Sequence, residues 1–260
     1  MMEKEQRNRW LSIAIIALVY VALISIPFSR WIASEWWNYG IALGIRLVFL
    51  LFAGIYAAKN HLPSILIHKP RWRDLRFIPF FLFAITNLFV GFPYGNSGSP
   101  LSPVWIQIPI ILFSVLSEEF IFRVLLAKEF QNQTKKKWKA ILWSAFFFAI
   151  IHFANISSVV TILPVLMQVV YCFFLGVLLA YLYLQTENVV YPCLLHFAFN
   201  FLNGLLIPTI YLYEFNWVYI LVNVLVGAVV IGYALILYFF RDRKEDKPAV
   251  DENKSDPSDA

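Results

Sequence analysis

Charge is scarce in this chain. Only 14% of its 260 residues are Asp, Glu, Lys or Arg, where a soluble globular domain carries roughly a quarter, and the shortage excludes an ordinary water-soluble fold. Glycine is sparse too, at 10 residues. With an apolar content of 60%, that excludes collagen-like, linker and disordered sequences, which have too little to bury. Two cysteines make no disulfide framework, and Cys172 and Cys193 both fall in apolar runs, where a small buried side chain is the plain reading. What is abundant is hydrocarbon and aromatic surface: 25 Phe, 13 Tyr and 9 Trp, with a mean hydropathy of +0.69. The composition is that of a protein that lives in lipid.

The net charge of +5 divides unevenly. The tail from Arg241 holds 5 basic and 7 acidic residues, leaving +7 on the rest. In a membrane chain such an excess is the usual enrichment of Lys and Arg in cytoplasmic loops, so no nucleic-acid partner is expected. Residues 241–260, polar and of mixed charge, read as a disordered cytoplasmic tail.

A hydrocarbon core of about 30 Å needs roughly 20 apolar residues in a helix. Eight stretches approach that length, near 10–28, 38–57, 77–92, 104–126, 140–154, 163–184, 189–207 and 216–240. The third and fifth are the shortest, and a partial or re-entrant helix fits there, with an interfacial piece at Leu62–His68. The runs are continuously apolar rather than alternating, which excludes a membrane barrel. The expected fold is therefore an all-α, polytopic membrane helical bundle of about eight transmembrane helices over residues 1–240. The first span reads as an uncleaved anchor, because Ile32-Ala33-Ser34 is a poor cleavage site.

Lys and Arg set the direction. Lys4, Arg7 and Arg9 precede the first span. Lys59, Lys69, Arg71, Arg73 and Arg76 lie between the second and third, Lys128, Lys135, Lys136, Lys137 and Lys139 between the fourth and fifth, and Arg241, Arg243 and Lys244 after the last. Both termini are expected in the cytoplasm, and the protein in the cell membrane.

An ionisable side chain inside a membrane helix costs a few kcal/mol or more, so each one usually has a partner or a task. Within the spans these are Arg46, Glu118, Glu119, Arg123, His152 and His196, with Asn200 and Asn203 as polar companions; His61 and His68 read as solvated loop residues. Glu119 and Arg123 stand four apart with the acid N-terminal, the favourable order for an intrahelical ion pair. One arginine needs one carboxylate, so Glu118, about 100° around the helix, is left over to face something else. Phe148 and His152 share a face of the fifth span, where a lone histidine is by default a hydrogen-bonded core residue. His196, Asn200 and Asn203 form a polar stripe on the seventh, as suited to helix–helix hydrogen bonding as to a site. At about 1.5 Å per residue, Glu118 and His196 lie about 13 and 10 Å from the cytoplasmic ends of their spans and His152 about 20 Å, so a shared cavity asks for tilt in the fifth or a later start to it.

A carboxylate, two imidazoles and an amide suffice for hydrolysis by water. Glu118 with His152 can act as general base while His196 and Asn200 donate to an oxyanion. Alternatively Glu118, His152 and His196 can hold a zinc ion with an open position for water. Zinc-dependent and metal-free routes both stay open, since no His-Glu-x-x-His pair is present. No Ser or Cys nucleophile stands out beyond Cys193, three positions before His196.

Glu-Glu-x-x-x-Arg at 118–123, Phe-x-x-x-His at 148–152 and His-x-x-x-Asn at 196–200, in this order, resemble the CPBP family of intramembrane proteases. That family includes the type II CAAX prenyl endopeptidases and the bacterial Abi and bacteriocin-immunity proteins. The resemblance covers a protease core of about 104–207. It implies that Glu118 and His152 activate the water, that His196 and Asn200 stabilise the oxyanion, and that Glu119 and Arg123 complete the first motif. It implies a hydrolase acting on a membrane-associated peptide or protein, of metalloprotease or glutamate-dependent type. The rival is a non-catalytic bacteriocin self-immunity or scaffold protein using the same polar helices for packing. A proton-coupled carrier ranks last, since no inverted repeat is visible.

Overall fold

The computed structural model describes residues 2–26, 28, 31–59, 69, 71–91, 104–158, 162–206 and 217–242. Outside the described residues fall His61, the expected interfacial piece Leu62–His68, and all of the tail beyond Asp242. The described chain is helical, with no strand among it, as lipid requires: a backbone without water must satisfy its own hydrogen bonds.

The elements are α1 (Met2–Ile24), α2 (Glu35–Lys59), α3 (Leu82–Gly91), α4 (Val104–Glu119), α5 (Lys128–Thr134), α6 (Lys137–Ile150), α7 (Leu163–Thr186), α8 (Val190–Leu206) and α9 (Trp217–Leu237). A 3-10 segment, Trp72–Phe81, leads into α3, and a second, Ile151–Ser158, prolongs α6. A π-helical stretch, Phe120–Ala127, joins α4 to α5 without interruption. Each of the eight expected stretches coincides with a helical segment. Among the described residues five are long and apolar enough to cross a membrane: Arg7–Ile24, Trp36–Lys59, Lys137–Ile156, Val165–Thr186 and Val224–Arg241. The third, fourth and seventh stretches are not among these five: the third is 3-10 over 77–81, which includes Pro79, the fourth passes into the π-helical stretch, and the seventh is a shorter apolar helix, whereas the fifth is a full span.

The helix pairs α6–α7, α3–α8, α2–α4, α3–α9 and α4–α8 carry the packing. The π-helical stretch is buried at every residue. Around it the bundle is apolar outward: Leu18, Val48, Leu51 and Val229 are each about two-thirds exposed, the expected finish for a surface that faces acyl chains.

Two tight corners organise the interior. Lys135 and Glu187 both adopt left-handed conformations at φ 52°, strained for non-glycine residues, and each ends a helix. Asn188 Oδ1 then accepts from the backbone of Val190 at 3.0 Å to start α8. Lys128 Nζ reaches Glu187 Oε1 at 2.6 Å, so both corners sit at the same end of the bundle. Arg9 joins that end through Glu129 at 3.9 Å.

The first corner also removes the mismatch in depth. The helix bearing Glu118 does not stop at residue 126 but runs on through the π stretch to Thr134. Glu118 and His152 therefore lie equally far, seventeen positions, on either side of Lys135, and an antiparallel hairpin brings such residues level. No unusual tilt is needed.

Candidate active site

Glu119, Arg123 and Ser144 are completely buried. The Arg123 Nε donates to Glu119 Oε2 at 3.0 Å, the ion pair that four-residue spacing favours. Its Nη1 donates to Ser144 Oγ at 3.0 Å, and that hydroxyl donates to Phe122 O at 2.7 Å. The guanidinium lies over the Phe148 ring, 4.7 Å from its centre, a cation–π contact in a dry setting. α4, the π stretch and α6 are thus tied by one arginine.

The other oxygen of Glu119 accepts from His196 Nδ1 at 2.8 Å. A carboxylate can only accept, so the proton is on Nδ1 and the ring is fixed with Nε2 as its outward nitrogen. That nitrogen is 3.7 Å from Glu118 Oε2, beyond a direct hydrogen bond. Glu118 keeps 13% of its side-chain surface accessible while Glu119 keeps none. Of two neighbouring carboxylates, one is locked between an arginine and a histidine, and the other is exposed enough to meet a ligand.

His152 stands on the 3-10 extension of α6 rather than on the α-helix itself. Its Nδ1 donates to Phe148 O at 2.8 Å, which again leaves Nε2 as the available nitrogen. Both imidazoles abut the same ring edge-on: His152 is 5.1 Å and His196 5.4 Å from Phe148. Phe122 packs on that ring at 5.4 Å. Asn200 is half-buried one turn beyond His196, its side chain without a hydrogen bond to another described residue; the Asn203 side chain lies outside the described ones. Cys172 and Cys193 are both free.

Arg46 binds across to α4, donating through Nε to Ser114 Oγ and through Nη1 to Ala42 O. Sequence reasoning missed Ser144, which relays Arg123 to the backbone, and Tyr20, which arrives from α1; Phe148, which it placed on one face with His152, is the ring that both imidazoles and the guanidinium share. Tyr20 is fully buried, its ring 4.7 Å from Phe49. Its hydroxyl lacks a hydrogen-bond partner among the described residues. Nothing in the local sequence around Tyr20 signals this, because the contact depends on how α1 packs.

Among the described residues no three His, Cys, Asp or Glu side chains are arranged to hold a metal ion. Nδ1 of His152 is engaged by Phe148 and that of His196 by Glu119, which leaves each Nε2 as the nitrogen for a ligand, the arrangement metal-bound histidines also use, so the zinc-dependent and metal-free routes both stay open.

Residues 100–202 match the family model described as Type II CAAX prenyl endopeptidase Rce1-like. The match spans all three motifs, so the resemblance seen in them holds at that level, without extending to the Abi or bacteriocin-immunity proteins. The chain matches no curated protein and no solved structure. At family level the match supports a CAAX-protease-like intramembrane endopeptidase, a multi-pass membrane protein with a protein or peptide substrate.

Proposed function

We propose that this protein hydrolyses a peptide bond of a membrane-associated protein or peptide, using a water held between Glu118 and the Nε2 of His152. The observation that carries this reading is the unequal fate of two adjacent carboxylates. Glu119 is spent on Arg123 and His196, whereas Glu118 is partly open and makes no direct hydrogen bond to His196 Nε2 at 3.7 Å, so of the two carboxylates it is the one free to hold the water.

In the reaction Glu118 takes a proton from the water as its oxygen forms a bond to the scissile carbonyl carbon. The carbonyl becomes an oxyanion, to which His196 Nε2, when the ring carries its second proton, and the Asn200 amide donate. The C–N bond then breaks as the leaving amine receives the proton from Glu118. Glu119 and Arg123 hold His196 in its working orientation, so they position rather than react. No step is routed through a metal. The basic end of the bundle is read as cytoplasmic, and the short loops there leave the substrate to enter from within or beside the membrane.

The test is cleavage of a fluorogenic membrane peptide by the purified protein, alongside Glu118→Gln and with or without a chelator. Glu118→Gln is expected to lower turnover by about 10²–10⁴ with thermal stability unchanged, and the chelator to have no effect. Turnover abolished by chelator and restored by zinc would transfer the chemistry to a metal. Retention of the biological phenotype by Glu118→Gln would favour the non-catalytic scaffold.

A further inference from the structure

Two cavities are lined in part by the same two helices, α6 and α7, and neither is lined by Glu118, His152 or His196. The first, of about 460 Å³, is bounded by Lys69, Arg71, Lys137 and the chain reversal at residues 184–187. The second, of about 420 Å³, is apolar and runs between α6, α7 and α9, bounded by residues that include Trp138, Ile141, Tyr181, Ala234 and Tyr238.

They share walls in register. On α6, Lys137 of the first and Ile141 of the second are one turn apart on one face. On α7, Gln185 of the first and Tyr181 of the second repeat that spacing. The polar cavity therefore continues into the apolar one along the same two helix faces. Its charge is one-sided: Lys69, Arg71, Lys137 and the adjacent Lys128 stand against Asp74, bound by Arg71 at 3.4 Å, and Glu187, bound by Lys128 at 2.6 Å. Among the described residues there, four cations stand against two carboxylates. Trp138, Tyr181 and Tyr238 mark the junction, the residue types that settle where hydrocarbon meets headgroups.

A free anion needs only the first cavity and an acyl chain only the second. Stacked, the pair suits a molecule that is anionic at one end and aliphatic at the other. We propose that together they form one site for an anionic phospholipid. Its phosphate sits among Lys69, Arg71 and Lys137, as basic pockets between membrane helices take acidic headgroups, and one acyl chain lies along the groove between α6, α7 and α9. Bound there, the lipid ties α9 to the helix pair that carries Phe148 and Gly176.

The full-length protein, purified in neutral detergent, is titrated with phosphatidylglycerol, phosphatidylcholine or inorganic phosphate, with bound lipid counted by native mass spectrometry and the melting temperature followed. Phosphatidylglycerol is expected to bind about tenfold more tightly than phosphatidylcholine, since each basic residue near the surface favours an anionic lipid severalfold, and inorganic phosphate to give no comparable stabilisation. The double variant Lys69→Gln/Lys137→Gln should lose the preference and Lys69→Arg/Lys137→Arg should keep it. Leu142→Trp, which narrows the groove from its exposed rim, should weaken phosphatidylglycerol without altering charge, and it serves as the test if the neutralised variant does not fold. Equal binding of the two lipids, or full stabilisation by inorganic phosphate, would overturn the proposal. So would a preference that survives both the neutralised and the narrowed variants. The readout is lipid binding, so it stands or falls apart from the hydrolysis proposed above.

Discussion

A carboxylate at zero exposure survives in a membrane bundle only with its lone pairs engaged, and Glu119 has both oxygens engaged, one by Arg123 and one by His196. Removing one member leaves the rest uncompensated. Arg123→Leu is therefore expected to cost about 3–5 kcal/mol, seen as a lower melting temperature in detergent, and to reduce activity through a misplaced His196. Adding Glu119→Gln to Arg123→Leu should recover part of the stability and none of the activity; a double variant as unstable as the sum of the singles would argue that the pair is not coupled. Tyr20 poses the opposite case. Its buried hydroxyl has no hydrogen-bond partner among the described residues, so Tyr20→Phe should leave stability equal or higher by up to about 1 kcal/mol, because an unsatisfied group is removed. Turnover should be kept in the same variant. A loss of turnover with substrate binding unchanged would give the hydroxyl a part in the site. At this scale the sequence was legible where contacts are local. The Glu119–Arg123 spacing announces the pair, while the His196–Glu119 bond spans 77 positions and leaves no trace in either motif read separately.

Helices were legible for a different reason. A run of apolar residues in lipid has to be helical, so all eight stretches find a helical counterpart, but hydropathy does not register which hydrogen-bond pattern the helix adopts. The π stretch over Phe120–Ala127 and the 3-10 extension bearing His152 were invisible for that reason, and with them the common level of Glu118 and His152. The α6–α7 contact was equally hidden. There Gly176 brings α7 against α6 so closely that an added Cβ would meet Ala145 Cα at 3.0 Å and Phe148 Cδ1 at 3.1 Å. Those atoms belong to a backbone and to the ring that flanks both imidazoles, so little can yield without moving the site. Gly176→Val is expected to cost about 1–3 kcal/mol by overpacking and to lower turnover by more than its effect on folding explains, through displacement of Phe148. Measuring turnover per folded molecule separates the two, and normal specific activity would show that the ring does not need this close approach.

Across the whole molecule, the distribution of Lys and Arg and the packing agree on one asymmetry. Arg9, Lys128 and the corners at Lys135 and Glu187 are held at a single end of the bundle by ion pairs between distant parts of the chain, and Arg71, Lys137 and residues 184–187 meet there around one cavity. Sequence reasoning reaches this gathering loop by loop, because the bias of basic residues acts on each loop separately during insertion. What it does not reach is the link between the corners, since that depends on the lengths of α5 and α7 together. If the basic end is cytoplasmic, as we propose, then in a chain lacking Cys172 and Cys193 a cysteine placed at Lys135 will react with a membrane-impermeant maleimide only after the cells are opened. A cysteine at Trp31, highly exposed between α1 and α2, will react in intact cells. The two sites report opposite ends of the same spans, so the pattern must invert as a unit. Labelling of the Lys135 site in intact cells would reverse the orientation and place Lys69, Arg71 and Lys137, with the lipid site they form, in the outer leaflet.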